Sequence, residues 1–147
     1  AWSPNLTGER CAEGGVKLVT KEKLFRQSDV ITIHMVLSQR SRDLVGAAEL
    51  SLMKSSAFLV NTSRGPIVNE SALLDTLRNR RIAGAGLDVF DIEPLPKDHP
   101  LRGLDNAVLT GHTGYVIAEL YDKVYGQAVE DIIGWMNKSP VRLLNGE

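Results

Sequence analysis

The sequence predicts an α/β fold built on a parallel sheet with helices covering both faces. Strand-like and helix-like stretches alternate along the chain with short connections, the pattern of successive βαβ units. The run Ala57-Phe58-Leu59-Val60 is continuously apolar and bounded by turn residues, as suits a strand buried on both faces. It stops abruptly at Asn61-Thr62-Ser63, followed by Arg64 and Gly65-Pro66, so a charged fork stands where a buried strand ends. In open α/β sheets the crevice outside the strand C-termini is where ligands bind.

The elements follow in order. Arg10 to Ala12 belongs to a short helix ending at Gly14-Gly15, and Val16 to Val19 reads as a short strand. Thr20 can N-cap a helix over Lys21 to Gln27, whose apolar side is Leu24 and Phe25. Val30 to His34 is β-branched and apolar, a better strand. Ser38 to Arg42 is a polar loop, and Gly46 to Met53 has helical spacing at Leu50 and Met53. After the Ala57 strand, Asn69 N-caps a helix over Glu70 to Asn79 with an apolar stripe at Ala72, Leu73, Leu74 and Leu77. Ala83 to Val89 is the next strand, and its small residues allow close approach of a neighbour. Pro94, Pro96 and Pro100 forbid a regular helix over Phe90 to Gly103. Ala107 to Leu109 is a last short strand. Val116 to Met136 reads as one long helix, with Ile117, Leu120, Val124, Ala128, Ile132 and Trp135 at three- and four-residue steps. It would span roughly 30 Å.

The totals bound the function. The 147 residues make about one domain with a real core, and 43% hydrophobic with 24% charged residues is ordinary for a globular chain. A net charge of −1 gives no reason to expect a nucleic acid or an acidic membrane as partner. Cys11 is the only cysteine, so no internal disulfide is possible, and a reducing cytoplasmic setting fits. No apolar run is long enough to cross a membrane, and no signal-peptide pattern is visible. The chain opens on alanine rather than methionine, which suggests a chain cut from something longer.

Candidate chemistry sits after successive strands: His34, then Arg64, then Glu93, then His112. All strand C-termini of a parallel sheet lie on one edge, so these residues can converge. A guanidinium grips a carboxylate bidentately, and an imidazole exchanges protons near neutral pH. A carboxylate beside the imidazole fixes its tautomer. Together Arg64, Glu93 and His112 suit reversible proton transfer at the carbinol or carbonyl of a small acid, with the hydride supplied by a cofactor. Each residue also has a structural reading. Arg64 can cap backbone carbonyls or pair with a surface acid, His112 can bond local backbone, and Glu93 can be a solvated loop acid. His34 at a strand end can be structural, and His99 in the Pro-rich loop reads as exposed. No metal-ligand spacing, G-x-S-x-G elbow or G-x-x-x-x-G-K-S/T phosphate loop occurs.

At NTSRGP (61–66), DVFDIEP (88–94) and GHTGY (111–115) the sequence resembles the D-isomer-specific 2-hydroxyacid dehydrogenases. The blocks match in order and spacing, and the similarity runs from Ala1 to about Gly134. The resemblance implies a Rossmann-like, doubly wound parallel sheet, here partial and lacking the first βαβ Gly-rich turn. Residues 1–115 would be the second half of the dinucleotide-binding domain. Residues 116–147 would be the long helix and tail returning to a substrate domain absent from this chain. The resemblance assigns Arg64 to the substrate carboxylate and carbonyl, His112 to proton exchange and Glu93 to the support of His112. Asp88 would meet the nicotinamide carboxamide, with Thr62, Ser63, Gly114 and the rest of the 111–115 loop along the nicotinamide side. Arg64, His112 and His34 would also border the cofactor. The family places proline before its histidine, whereas Gly111 stands here, and Thr113 replaces a branched apolar residue. None of Ala1, Trp2 or Ser3 is acidic, so the cofactor is either NAD or NADP.

The implied activity is reversible hydride transfer between a 2-hydroxy acid and a 2-oxo acid, with a homodimer in the full-length parent. The alternative is a non-catalytic dinucleotide-sensing protein similar to the corepressors of the same fold. The chain by itself is expected to lack activity, to bind cofactor very weakly and to self-associate.

Overall fold

The computed structural model describes residues 1–144. They form two compact units, residues 1–112 and 113–144. Of the tail expected over 116–147, the last three residues lie outside the described residues.

The first unit holds a four-stranded, all-parallel sheet: β1 Val30–Ile33, β2 Phe58–Asn61, β3 Gly84–Leu87 and β4 Ala107–Leu109. Its helices are α1 Gly8–Glu13, α2 Lys21–Gln27, α3 Ala47–Leu52 and α4 Glu70–Arg78. This is the Rossmann-like α/β sheet that the sequence predicts. The caps explain the helix starts. Thr20 Oγ1 accepts from the Lys23 amide at 3.2 Å and Asn69 Oδ1 from the Ala72 amide at 2.9 Å. The Glu49 carboxylate accepts the Gly46 amide at 2.9 Å and pairs with Lys21 at 2.7 Å.

The spatial strand order is β1-β2-β3-β4, the order of the sequence. Right-handed crossovers taken successively in one direction all land on one face. Ile31, Leu59 and Ala85 stand in register on that face and are buried with Phe25, Leu50, Leu73 and Leu77 of the helices. Alternate residues point the other way: Val30 is 59% exposed, Phe58 49% and Val108 70%. The expected cover on both faces is therefore corrected: among the described residues the second face is largely open, because the strands progress one way only.

Two local expectations also change. Val16 to Val19 is not a strand. Its rungs are two bonds of parallel type with Ala1, from the Ala1 amine to the Lys17 carbonyl (2.6 Å) and from the Val19 amide to the Ala1 carbonyl (3.1 Å). Within the Pro-rich segment, Pro100–Gly103 closes into a 3-10 turn with proline at its start, where no N–H is needed.

In the second unit α5 spans Ala118–Met136, starting two residues later than the periodicity predicts because Ile117 is extended at φ −128°, ψ 147°. The chain then turns back along the helix. Arg142 donates to the Gln127 carbonyl at 2.9 Å and pairs with Glu130 at 2.9 Å and Asp131 at 3.0 Å.

Candidate active site

The C-terminal end of β2 sets the first part of the site. Asn61 is 1% exposed, and its amide is used within the loop it opens. Nδ2 donates to the Arg64 carbonyl at 2.9 Å and Oδ1 accepts the Ser63 amide at 3.1 Å, an Asx-type turn that fixes where Arg64 leaves the strand. Ser63 Oγ donates to the Met35 carbonyl, tying this loop to the one after β1. Arg64 is exposed and sends one Nη1 donor to the Ser63 carbonyl at 2.6 Å, so part of its capping reading is realised. Thr62 is exposed beside it. His34, Met35, Ser63 and Arg64 line one open crevice of about 460 Å³. The His34 ring bonds back to Thr32 Oγ1 at 2.9 Å.

Gly65 joins this loop to the one after β3. A Cβ there would sit 2.1 Å from the Phe90 carbonyl carbon and 2.3 Å from its oxygen. The two backbones touch, and only a hydrogen fits between them.

Across that contact lies Glu93, three residues after Phe90 and followed by a cis bond to Pro94. Glu93 Oε1 accepts the Phe90 amide at 2.9 Å, and Oε2 stands 2.7 Å from His112 Nδ1. An ionised carboxylate only accepts, so Nδ1 carries the shared proton and Nε2 is the basic nitrogen of the ring. His112 sits at φ +58°, a left-handed conformation that costs a side-chain-bearing residue about 1 kcal/mol. The hydrogen bond from His112 holds the Glu93 carboxyl below its ordinary range, with burial opposing; the Phe90 amide and the charge of Arg64 add to the lowering. Arg64 is thus within electrostatic reach of the pair. Asp88, 5% exposed at the end of β3, accepts a hydrogen bond from Thr110 Oγ1. A cavity of about 440 Å³ beside the pair is lined by Phe90, Leu95, Arg102 and Leu109, among others.

The structure therefore brings Arg64, Glu93 and His112 to one edge of the sheet, with Thr62, Ser63, His34 and Asp88 at neighbouring strand ends. Gly114 belongs to the second unit. His99 is corrected: its side chain is only 15% exposed, and Nε2 lies 3.0 Å from Glu70 Oε1. Sequence reasoning gave no role to Asn61 or Thr110. A polar residue closing an apolar strand three positions before Arg64 was a usable signal for Asn61, whereas the Thr110–Asp88 pairing depends on strand register.

The Glu93 shift carries a pH signature. A carboxyl whose folded pKa is depressed stabilises the fold above its unfolded pKa and loses that contribution as pH falls through the folded value. Glu93→Gln is expected to be less stable than wild type at pH 7. The gap should close below the ordinary value of 4.5, as read by urea unfolding at both pH values.

Comparison with known proteins bears on this geometry. Residues 1–114 match the family model described as D-isomer specific 2-hydroxyacid dehydrogenase, NAD binding domain. The chain is similar to the glyoxylate reductase of Aeropyrum pernix, 41% identical over 136 residues, covering 92% of this chain and 41% of that protein. It is similar to the hydroxypyruvate reductase of Blautia hydrogenotrophica, 33% identical over 143 residues, covering 97% of this chain and 43% of that protein. A solved acyclic imino acid reductase in complex with NADPH and D-Arg superposes with a TM-score of 0.75 at 34% identity, covering 89% of this chain and 42% of that one. The chain thus spans about two fifths of the length of the curated relatives it matches. Strand-end geometry and family match agree, and the chain belongs to the D-isomer specific 2-hydroxyacid dehydrogenases through their NAD binding domain.

Proposed function

We propose that this chain is the cofactor-binding part of an NAD- or NADP-dependent dehydrogenase that interconverts a 2-hydroxy acid and a 2-oxo acid. The observation that carries the reading is the 2.7 Å contact between His112 Nδ1 and Glu93 Oε2, with Arg64 close enough to bias the same carboxylate. His112 exchanges the substrate hydroxyl proton at Nε2, and Glu93 holds the ring and stabilises the imidazolium. Arg64 grips the substrate carboxylate with its planar fork. The acceptor set at the strand ends fits a nicotinamide: Asp88 would take the carboxamide N–H groups, with Thr62, Ser63, His34, Arg64 and His112 along the same side. When bound, the nicotinamide supplies or accepts the hydride.

Residues 1–115 act as the second half of the cofactor domain and 116–147 as the segment returning to a substrate domain. The full-length protein works as a homodimer in the cytoplasm, without nucleic acid or membrane; one cysteine and a near-neutral net charge support that setting.

Oxidation of NADH and NADPH by the full-length protein, followed with glyoxylate and hydroxypyruvate, tests the reading. Arg64→Lys should raise the KM for the oxo acid about tenfold and lower kcat, since a point charge cannot reproduce the fork. Tight cofactor binding without turnover of any oxo acid would favour the sensing protein instead.

A further inference from the structure

Glu93 is carried by a segment with few ways to hold itself. Pro94, Pro96 and Pro100 have no N–H to donate, and the backbone between Phe90 and the 3-10 turn follows no regular ladder. The His99 amide reaches the Pro96 carbonyl at 3.2 Å, and further donors come from a side chain. Arg102, in the 3-10 turn, supplies them to two successive residues: Nε donates to the Pro96 carbonyl at 2.9 Å and Nη2 to the Leu95 carbonyl at 2.8 Å. Between these residues and Glu93 lies only Pro94. Leu95 itself is 8% exposed and belongs to the core, so the guanidinium bonds and the Leu95 side chain pin the segment at one point from two sides. Upstream, the Phe90 amide grips Glu93 Oε1 at 2.9 Å. The carboxylate is therefore clamped between the Phe90 amide and the Arg102 staple, and that clamp presents Oε2 to His112.

We infer that Arg102 is a positioning residue for the Glu93–His112 pair: its two-pronged hold on the Leu95 and Pro96 carbonyls sets where the Glu93 carboxylate stands. The inference rests on the reading of that pair given under the proposed function. Planarity is the point, because two carbonyls of consecutive residues are reached by two nitrogens of one rigid fork. A lysine keeps the charge and the stem but has no second fixed nitrogen. The Arg102 bonds run to the Leu95 and Pro96 carbonyls, so its loss should act on the pair through orientation. A small misplacement of an acid–base group lowers turnover while leaving cofactor affinity in place.

Two measurements on the full-length protein decide it. In steady-state kinetics with NADH and glyoxylate or hydroxypyruvate, Arg102→Leu should lower kcat by about tenfold or more, with the KM for NADH within about twofold of wild type. In histidine-labelled protein, proton NMR should show the hydrogen-bonded His112 Nδ1 proton of the wild type at low field. Arg102→Leu should move or broaden that signal toward its appearance in Glu93→Gln. Arg102→Lys covers the case in which Arg102→Leu fails to fold, and the same change is expected of it. A His112 Nδ1 signal unchanged in both Arg102 variants overturns the inference. The NMR reading is independent of turnover, so a protein that reduces no oxo acid would defeat the functional reading while the Arg102 inference is still decided by the spectrum.

Discussion

His112→Ala is expected to lower kcat by about 10²- to 10⁴-fold, the usual range for removing a general acid–base residue. The imidazole is tethered at Nδ1 to Glu93 at 2.7 Å, so its other nitrogen is aimed by a fixed hydrogen bond and a left-handed backbone turn. Alanine removes the proton carrier, so turnover should fall by far more than affinity for the nicotinamide cofactor, which His112 only borders. The check is a pair of measurements on the full-length variant: turnover with hydroxypyruvate, and cofactor affinity by fluorescence titration. A His112→Ala enzyme that turns over at the wild-type rate would remove the proton-transfer role.

Gly65→Ala should damage both fold and site. The added methyl would stand 2.1 Å from the Phe90 carbonyl carbon and 2.6 Å from the Asp91 nitrogen, all of it backbone. No rotamer change can relieve that overlap, so the loops after β2 and β3 must separate. Overpacking of this kind costs about 3 kcal/mol or more where the neighbour cannot yield. The same separation carries Arg64 away from Glu93, which removes the cation that helps keep that carboxyl ionised. Urea unfolding should show a lower midpoint. The KM for the oxo acid should rise well beyond what the stability loss explains at temperatures where the variant is fully folded. A variant with wild-type stability would mean that the two loops are not in contact at Gly65.

Much of this arrangement was legible in the sequence because local chemistry dictates it. The caps Thr20 and Asn69, the apolar run at Ala57 and the spacing of Leu73 and Leu77 each specify an element through short-range contacts. The position of Arg64, Glu93 and His112 after successive strands was enough to place them on one edge, since parallel strands end together. What could not be read depends on long-range geometry. The open sheet face follows from strand order, and a single strand such as FLVN carries no mark of whether its second face has a cover. The segment at Val16 shows the same limit, because its residues suit a strand and only pairing decides. Arg102 and the Gly65 contact were invisible for a related reason: one depends on where a turn lands, the other on how closely two loops approach. His99 was misread because its partner Glu70 is 29 residues away in sequence.

The proposed reaction is a D-specific reduction of a 2-oxo acid. The most direct test is chiral analysis of the product formed when the full-length protein is given hydroxypyruvate with NADH or NADPH. D-glycerate is the expected product, formed in step with cofactor oxidation and lost in His112→Ala. L-glycerate, or no oxidation of either cofactor with any 2-oxo acid offered, would contradict it.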